Sequence, residues 1–171
     1  MSKILVVVAH PDINNSMANN RWLTELSKYP DHFTVHQLYQ QYPDFQIDIA
    51  REQNLIEQHS ALILQFPIYW FSSPPLLKKW IDDVFSYGWA YGSGNKLQDK
   101  PMGLAVTTGA AEESYQGKDS LEYMLTPFKA TIDYVNGKEI PLFAVYGAGY
   151  GLTQQGLERS AKSYVQHLDS L

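Results

Sequence analysis

The segment Ile4-Leu5-Val6-Val7-Val8-Ala9 constrains the fold more than any other, because in an extended conformation it is apolar on both faces. Such a strand needs cover on both sides, which is the setting of a central strand in a parallel sheet. Similar apolar runs recur at Ala61 to Phe66, Met102 to Thr108 and Ile140 to Tyr146, with helix-like stretches between them. That alternation is the pattern of βαβ units.

We therefore expect strands over 3–9, 33–38, 61–66, 102–108 and 140–146, the second as an edge strand because its apolar residues alternate. Helices are expected over 16–28, 49–58, 76–85, 120–133 and 153–168. Ser16 is a good N-cap, Tyr29-Pro30 a stop, and Pro74-Pro75 a permissible helix opening, whereas Pro127 weakens the middle of its helix. Residues 39–48 and 87–94 read as irregular. At 171 residues the chain (1–171) is expected to be one domain. Five parallel strands with helices on both faces favour the doubly wound order 2-1-3-4-5, whose ligands sit where the strand order reverses, between strands one and three.

Composition removes several function classes. Thirteen basic against 18 acidic residues, with no basic run, argue against nucleic acid as a partner. No cysteine is present, so disulfides, thiolate metal sites and cysteine nucleophiles are excluded, and redox chemistry would have to come from a cofactor. No apolar run approaches membrane-spanning length, which favours a cytoplasmic chain, at most peripheral at the inner face of the cell membrane. Twelve Tyr, 7 Phe and 4 Trp exceed what a core of this size needs, a surplus that suits flat ligands or subunit interfaces.

Two loops, 10–16 and 67–73, are expected at the switch point, and a third candidate loop follows strand four. His10 to Asn19 leads into a helix N-terminus, where free N–H groups and the helix dipole favour a phosphate; Ser16 alone also reads as an ordinary cap. No Walker pattern is present, so a monophosphate fits better than a triphosphate. Phe66 to Ser72 carries Tyr69, Trp70 and Phe71 at the end of a buried strand, a place suited to a flat ring system, to an aromatic plug over the sheet or to a dimer contact. In Thr107-Thr108-Gly109-Ala110, Gly109 permits close backbone approach. Gly147-Ala148-Gly149-Tyr150-Gly151 lacks dinucleotide spacing and reads as a loop with little ligand meaning.

These motifs resemble the flavodoxin-like NAD(P)H:quinone oxidoreductases, the family that includes the DT-diaphorases, and more closely its short bacterial branch. That branch includes the ancillary quinone reductase of glutathione-gated potassium efflux. The resemblance is carried by Ala9-His10-Pro11, Ser16-Met17-Ala18-Asn19, Leu38 to Phe45, Pro74 to Phe85, Gly88 to Gly92 and Val106 to Gly109, and it fades after about residue 115. It implies a flavodoxin-like three-layer sandwich and a flavin, FMN or FAD, with FMN the better fit to a short chain. His10, Ser16, Met17, Ala18 and Asn19 would hold the phosphate and ribityl end. Pro67, Ile68, Tyr69, Trp70, Phe71, Thr107, Thr108, Gly109 and Ala110 would line the ring.

The resemblance further implies an enzyme that takes a hydride from NAD(P)H and passes two electrons to a quinone-like acceptor in a ping-pong sequence, with Tyr115 as catalytic hydrogen-bond donor. Long-chain relatives place a histidine soon after that tyrosine, and residues 116–126 contain none. It also implies a homodimer, with Trp80, Phe85, Trp89 and Tyr91 as contact candidates, and a potassium-efflux transporter as a further partner. A regulatory flavin-binding subunit of such a transporter and a one-electron carrier are the competing functions. A third alternative is a zinc-dependent deacetylase, suggested by His10-Pro11-Asp12, but Ile13 stands where a second aspartate is needed. His32, His36, His59 and His167 are expected at the surface, and Arg21, Arg51 and Arg159 as solvated helix charges.

Overall fold

The computed structural model describes residues 3–171. Strand β1 (Ile4–Val8) runs parallel to β2 (Phe33–Gln37) on one side and β3 (Ala61–Pro67) on the other, and β3 runs parallel to β4 (Pro101–Thr107). Two short strands, β5 (Lys138–Glu139) and β6 (Phe143–Val145), share the fifth position, both parallel to β4. The strand positions thus follow the expected order 2-1-3-4-5. The strand expected over 140–146 is shortened to β6, with β5 formed ahead of it, and Pro141 between the two has no N–H to give to a ladder.

Side-chain alternation sends the two faces of the sheet into two cores. Leu5, Val7, Leu62, Leu64, Phe66, Leu104 and Val106 face one core, roofed by α3 (Ile49–Glu57), α4 (Pro75–Val84), α5 (Leu121–Met124) and α6 (Thr126–Tyr134). Val6, Val8, Ile63 and Ala105 face the other, roofed by α1 (Met17–Leu26) and α7 (Gln154–Asp169). There Trp22 lies against Tyr164 with ring centres 4.8 Å apart, and Tyr164 stacks on Phe143 at 4.9 Å.

Among the described residues, seven α-helical segments replace the five expected, for local reasons. The helix over 120–133 breaks at Leu125, because Pro127 cannot donate to the carbonyl four residues earlier. A short α2 (Leu38–Gln41) interrupts the stretch read as irregular.

Three surface assignments are corrected by packing. Trp80, Phe85 and Trp89 are buried in the chain's own core, so they do not present a subunit contact; Tyr91 remains partly exposed. Arg21 is not a solvated charge: it pairs bidentately with Glu158 of α7 at 2.7 and 2.8 Å and with Glu25 at 2.7 Å, clamping α1 to α7. His59 is buried between the Leu55 carbonyl (2.6 Å) and Thr34 Oγ1 (2.7 Å).

His36 is buried as well, in contact with Glu52. The Glu52 carboxylate is fully enclosed and accepts from His36 Nε2 (2.9 Å), the Tyr42 hydroxyl (2.6 Å) and Trp80 Nε1 (2.7 Å), tying β2, α3 and α4 together. Burial alone would raise its pKa, but hydrogen bonds from His36, Tyr42 and Trp80 outweigh burial and hold it below the ordinary carboxylate value. Because the folded pKa lies below the unfolded one, this contribution is complete above about pH 5 and is lost as pH falls through the folded value. Glu52→Gln, which turns one acceptor into a donor facing donors, is expected to cost about 3 kcal/mol in urea denaturation at pH 7. The cost should shrink in acid; a loss independent of pH would contradict an ionised Glu52.

Candidate functional site

Strands β1, β3 and β4 end side by side at Val8, Pro67 and Thr107, so three loops leave the sheet together. Backbone bonds fix them to one another: Ala9 N–H donates to Gln65 O (2.9 Å) and Ile68 N–H to Thr107 O (2.8 Å).

In the first loop His10 is half-buried, with its ring edge-on to Tyr69 at 6.2 Å. His10 Nδ1 accepts the Asp12 N–H at 3.1 Å, an arrangement that leaves the proton on Nε2. Burial lowers its pKa and Asp12 opposes this more weakly, so the ring is a neutral donor at pH 7. After one 3-10 turn (Ile13–Asn15), Ser16 caps α1, its Oγ accepting the Asn19 N–H at 3.2 Å. The first-turn amides at Met17 and Ala18 have no intrahelical partner and concentrate positive potential there.

The side chains of this helix end divide. Met17 is exposed and Ala18 is buried, while the Asn19 amide turns inward, giving Nδ2–H to Thr107 Oγ1 at 2.9 Å and accepting at Oδ1 from Gln65 Nε2 at 3.1 Å. Gln65 escaped the sequence reading because it sits inside an apolar strand. Its Oε1 is buried and meets no donor among the described residues, at a cost of about 1–3 kcal/mol.

The second loop is a tight reversal. Tyr69 and Ser72 exchange both backbone hydrogen bonds, at 2.9 and 3.0 Å, around Trp70 (φ 44°) and Phe71 (φ 63°). Two left-handed residues in the middle positions make a type I′ geometry, for which Asn-Gly is the usual choice. Placing two bulky aromatics there costs about 1–2 kcal/mol each. Yet Trp70 is 92% exposed, Phe71 61% and Tyr69 41%, so packing within the chain does not hold them in place. Backbone strain of this kind clusters at functional sites.

In the third loop Thr108 is buried, with Oγ1 donating to the Ala110 carbonyl at 2.8 Å. A Cβ at exposed Gly109 would meet nothing within 4 Å, so the space in front of it is open. Behind it stands the glycine run read as without ligand meaning. Gly147 N–H bonds Ala110 O (2.7 Å), Ala148 N–H bonds Thr108 O (2.8 Å), and a Cβ on Gly149 would sit 3.3 Å from Gly109 O. These glycines are the backing that fixes the third loop. The backbone amides of Trp70, Phe71, Gly109 and Ala110 meet no acceptor among the described residues. Tyr115 follows the 3-10 turn Glu112–Ser114, its ring 5.6 Å from that of Tyr146 at the end of β6. Burial, then Glu112 and Tyr115, push the Tyr146 pKa up.

A family model described as a flavodoxin-like fold matches residues 2–168. The chain belongs to that flavodoxin-like family. Among relatives, general stress protein 14 of Bacillus subtilis is 44% identical over 97% of both chains. The glutathione-regulated potassium-efflux system ancillary protein KefF of Enterobacter sp. (strain 638) is 39% identical, over 96% of this chain and 94% of that one. A crystal structure of general stress protein 14 from Treponema denticola in complex with FMN superposes with a TM-score of 0.93 at 42% identity, covering 98% of each chain. Among the described residues of this flavodoxin-like chain, no helix is long and apolar enough to cross a membrane, and no three His, Asp or Glu side chains are grouped to hold a metal ion.

Replacing the strained pair by the residues a type I′ turn prefers, Trp70→Asn with Phe71→Gly, is expected to stabilise the ligand-free chain by about 1–2 kcal/mol in urea denaturation. Destabilisation would show that these aromatics are held by packing within the chain.

Proposed function

We propose that this chain is an FMN-dependent NAD(P)H:quinone oxidoreductase working by two-electron hydride transfer in a ping-pong sequence. The observation that carries the reading is the strained aromatic turn 69–72, its free amides set beside open Gly109 and the capped end of α1. This set fits FMN. The first turn of α1, with Ser16, Met17, Ala18 and Asn19, offers backbone N–H groups to a phosphate, and His10 Nε2 adds a neutral donor. Pro67, Ile68, Tyr69, Trp70 and Phe71 on one side and Thr107 to Ala110 on the other would line a flat ring. Support comes from the Treponema denticola relative crystallised with FMN and from a Bacillus subtilis relative, 40% identical, named as the NAD(P)H oxidoreductase YrkL.

Bound flavin supplies the reversible two-electron chemistry, and the chain supplies position and charge. The amides of Trp70, Phe71 and Gly109 would be available to a negatively charged edge of a bound ring. Tyr115 would donate a hydrogen bond to the acceptor. The exposed faces of Tyr69, Trp70 and Phe71 suit a second copy, so that a homodimer closes the site.

KefF favours one further reading, in which the same flavin site serves a chain associated with a potassium-efflux transporter at the inner membrane face. Co-purification of the full chain with such a transporter distinguishes it.

Initial rates with NADH varied at several fixed quinone concentrations should give parallel double-reciprocal lines; intersecting lines would exclude ping-pong order. Tyr115→Phe is expected to lower quinone turnover by about a hundredfold with the flavin retained. Unchanged turnover would remove Tyr115 from the mechanism.

A further inference from the structure

Asn19 is a junction in which each polar group has a partner outside the ordinary helix ladder. Its N–H goes to the Ser16 cap, its Nδ2–H to Thr107 Oγ1, and both its Oδ1 (3.1 Å) and its backbone carbonyl (3.4 Å) accept from Gln65 Nε2. Gln65 is therefore the post on which the junction stands. It lies in register with Val8 of β1 and Ala105 of β4, beneath the points where the first and third loops leave the sheet.

Its surroundings argue against a packing role. Val6, Val8, Ile63 and Ala105 on the same face of the sheet are apolar, and an aliphatic side chain would suit them better than an amide whose Oε1 is buried without a donor among the described residues. Gln65 is 0% exposed, so it offers nothing to a ligand in the cleft directly.

Resting on the reading of FMN as cofactor, we infer that Gln65 is a positioning residue for its phosphate. The Gln65 amide clamps the first turn of α1 to β3 and, through Asn19, to the end of β4. That clamp sets where the cap amides point relative to the ring-lining loop. Support of this kind from behind a binding group is what keeps the group within the narrow range a charged ligand requires.

A phosphate-positioning Gln65 distinguishes FMN from riboflavin, which has the same ring and no phosphate. The full-length chain, freed of flavin, is titrated with each by quenching of flavin fluorescence, with near-ultraviolet circular dichroism to confirm folding. Gln65→Met keeps the side-chain length and removes the donor. It is expected to raise the FMN dissociation constant about tenfold and the riboflavin constant less than about twofold. Gln65→Leu gives a second reading should the methionine variant not fold. An unchanged FMN constant, or equal losses for both flavins, overturns the assignment. A wild-type chain that binds neither flavin overturns the cofactor reading itself, a result distinct from variant and wild type binding FMN alike.

Discussion

Burial of β3 on both faces is the constraint from which the rest follows. A strand enclosed from Ala61 to Pro67 has no solvated edge or face on which to carry chemistry, so function is pushed to its carboxyl end and to the strands beside it. The one polar side chain admitted within it, Gln65, is spent on the helix that starts beside that end. The loop leaving β3 then carries two aromatics in a conformation that neither favours intrinsically. Both features work against the stability of the ligand-free chain, and both lie within reach of the same cleft.

The opposite side of the sheet shows how enclosed charge is managed when no ligand is involved. Glu52 accepts from three donors on three elements and leaves no oxygen unpaired, so its burial is compatible with a stable fold. On the other face Arg21 ties α1 to α7 through Glu158, though its Nη1 stays buried without a partner among the described residues. Around the carboxyl ends of β1, β3 and β4, by comparison, the unpaired Gln65 Oε1, free loop amides and left-handed aromatics gather together.

Much of this was legible in the residues. Strand order, the helix break at Pro127, the Ser16 cap and the aromatic turn follow from local pattern, because each depends on what neighbouring residues in the chain can do. What escaped depends on contacts across the chain. Trp80 and Trp89 read as surplus aromatics because the carboxylates that receive their N–H groups, Glu52 and Glu57, lie 28 and 32 residues away. His36 and His59 looked like surface histidines for the same reason. Gly147 to Gly151 carries no dinucleotide spacing, and only its pairing against Thr108 to Ala110 reveals its use. Gln65 could have been noticed: a glutamine in a strand otherwise apolar on both faces is a polar group that needs a partner.

The central question for this chain is whether the cradle of three loops holds a redox-active flavin. The most direct measurement is an anaerobic visible absorption spectrum of the purified chain supplied with FMN, taken before and after NADH or NADPH and again after a quinone. A flavin spectrum that bleaches with the nicotinamide and returns with the quinone is the predicted result. A chain that takes up no flavin, or one whose flavin stays oxidised under both nicotinamides, would contradict it.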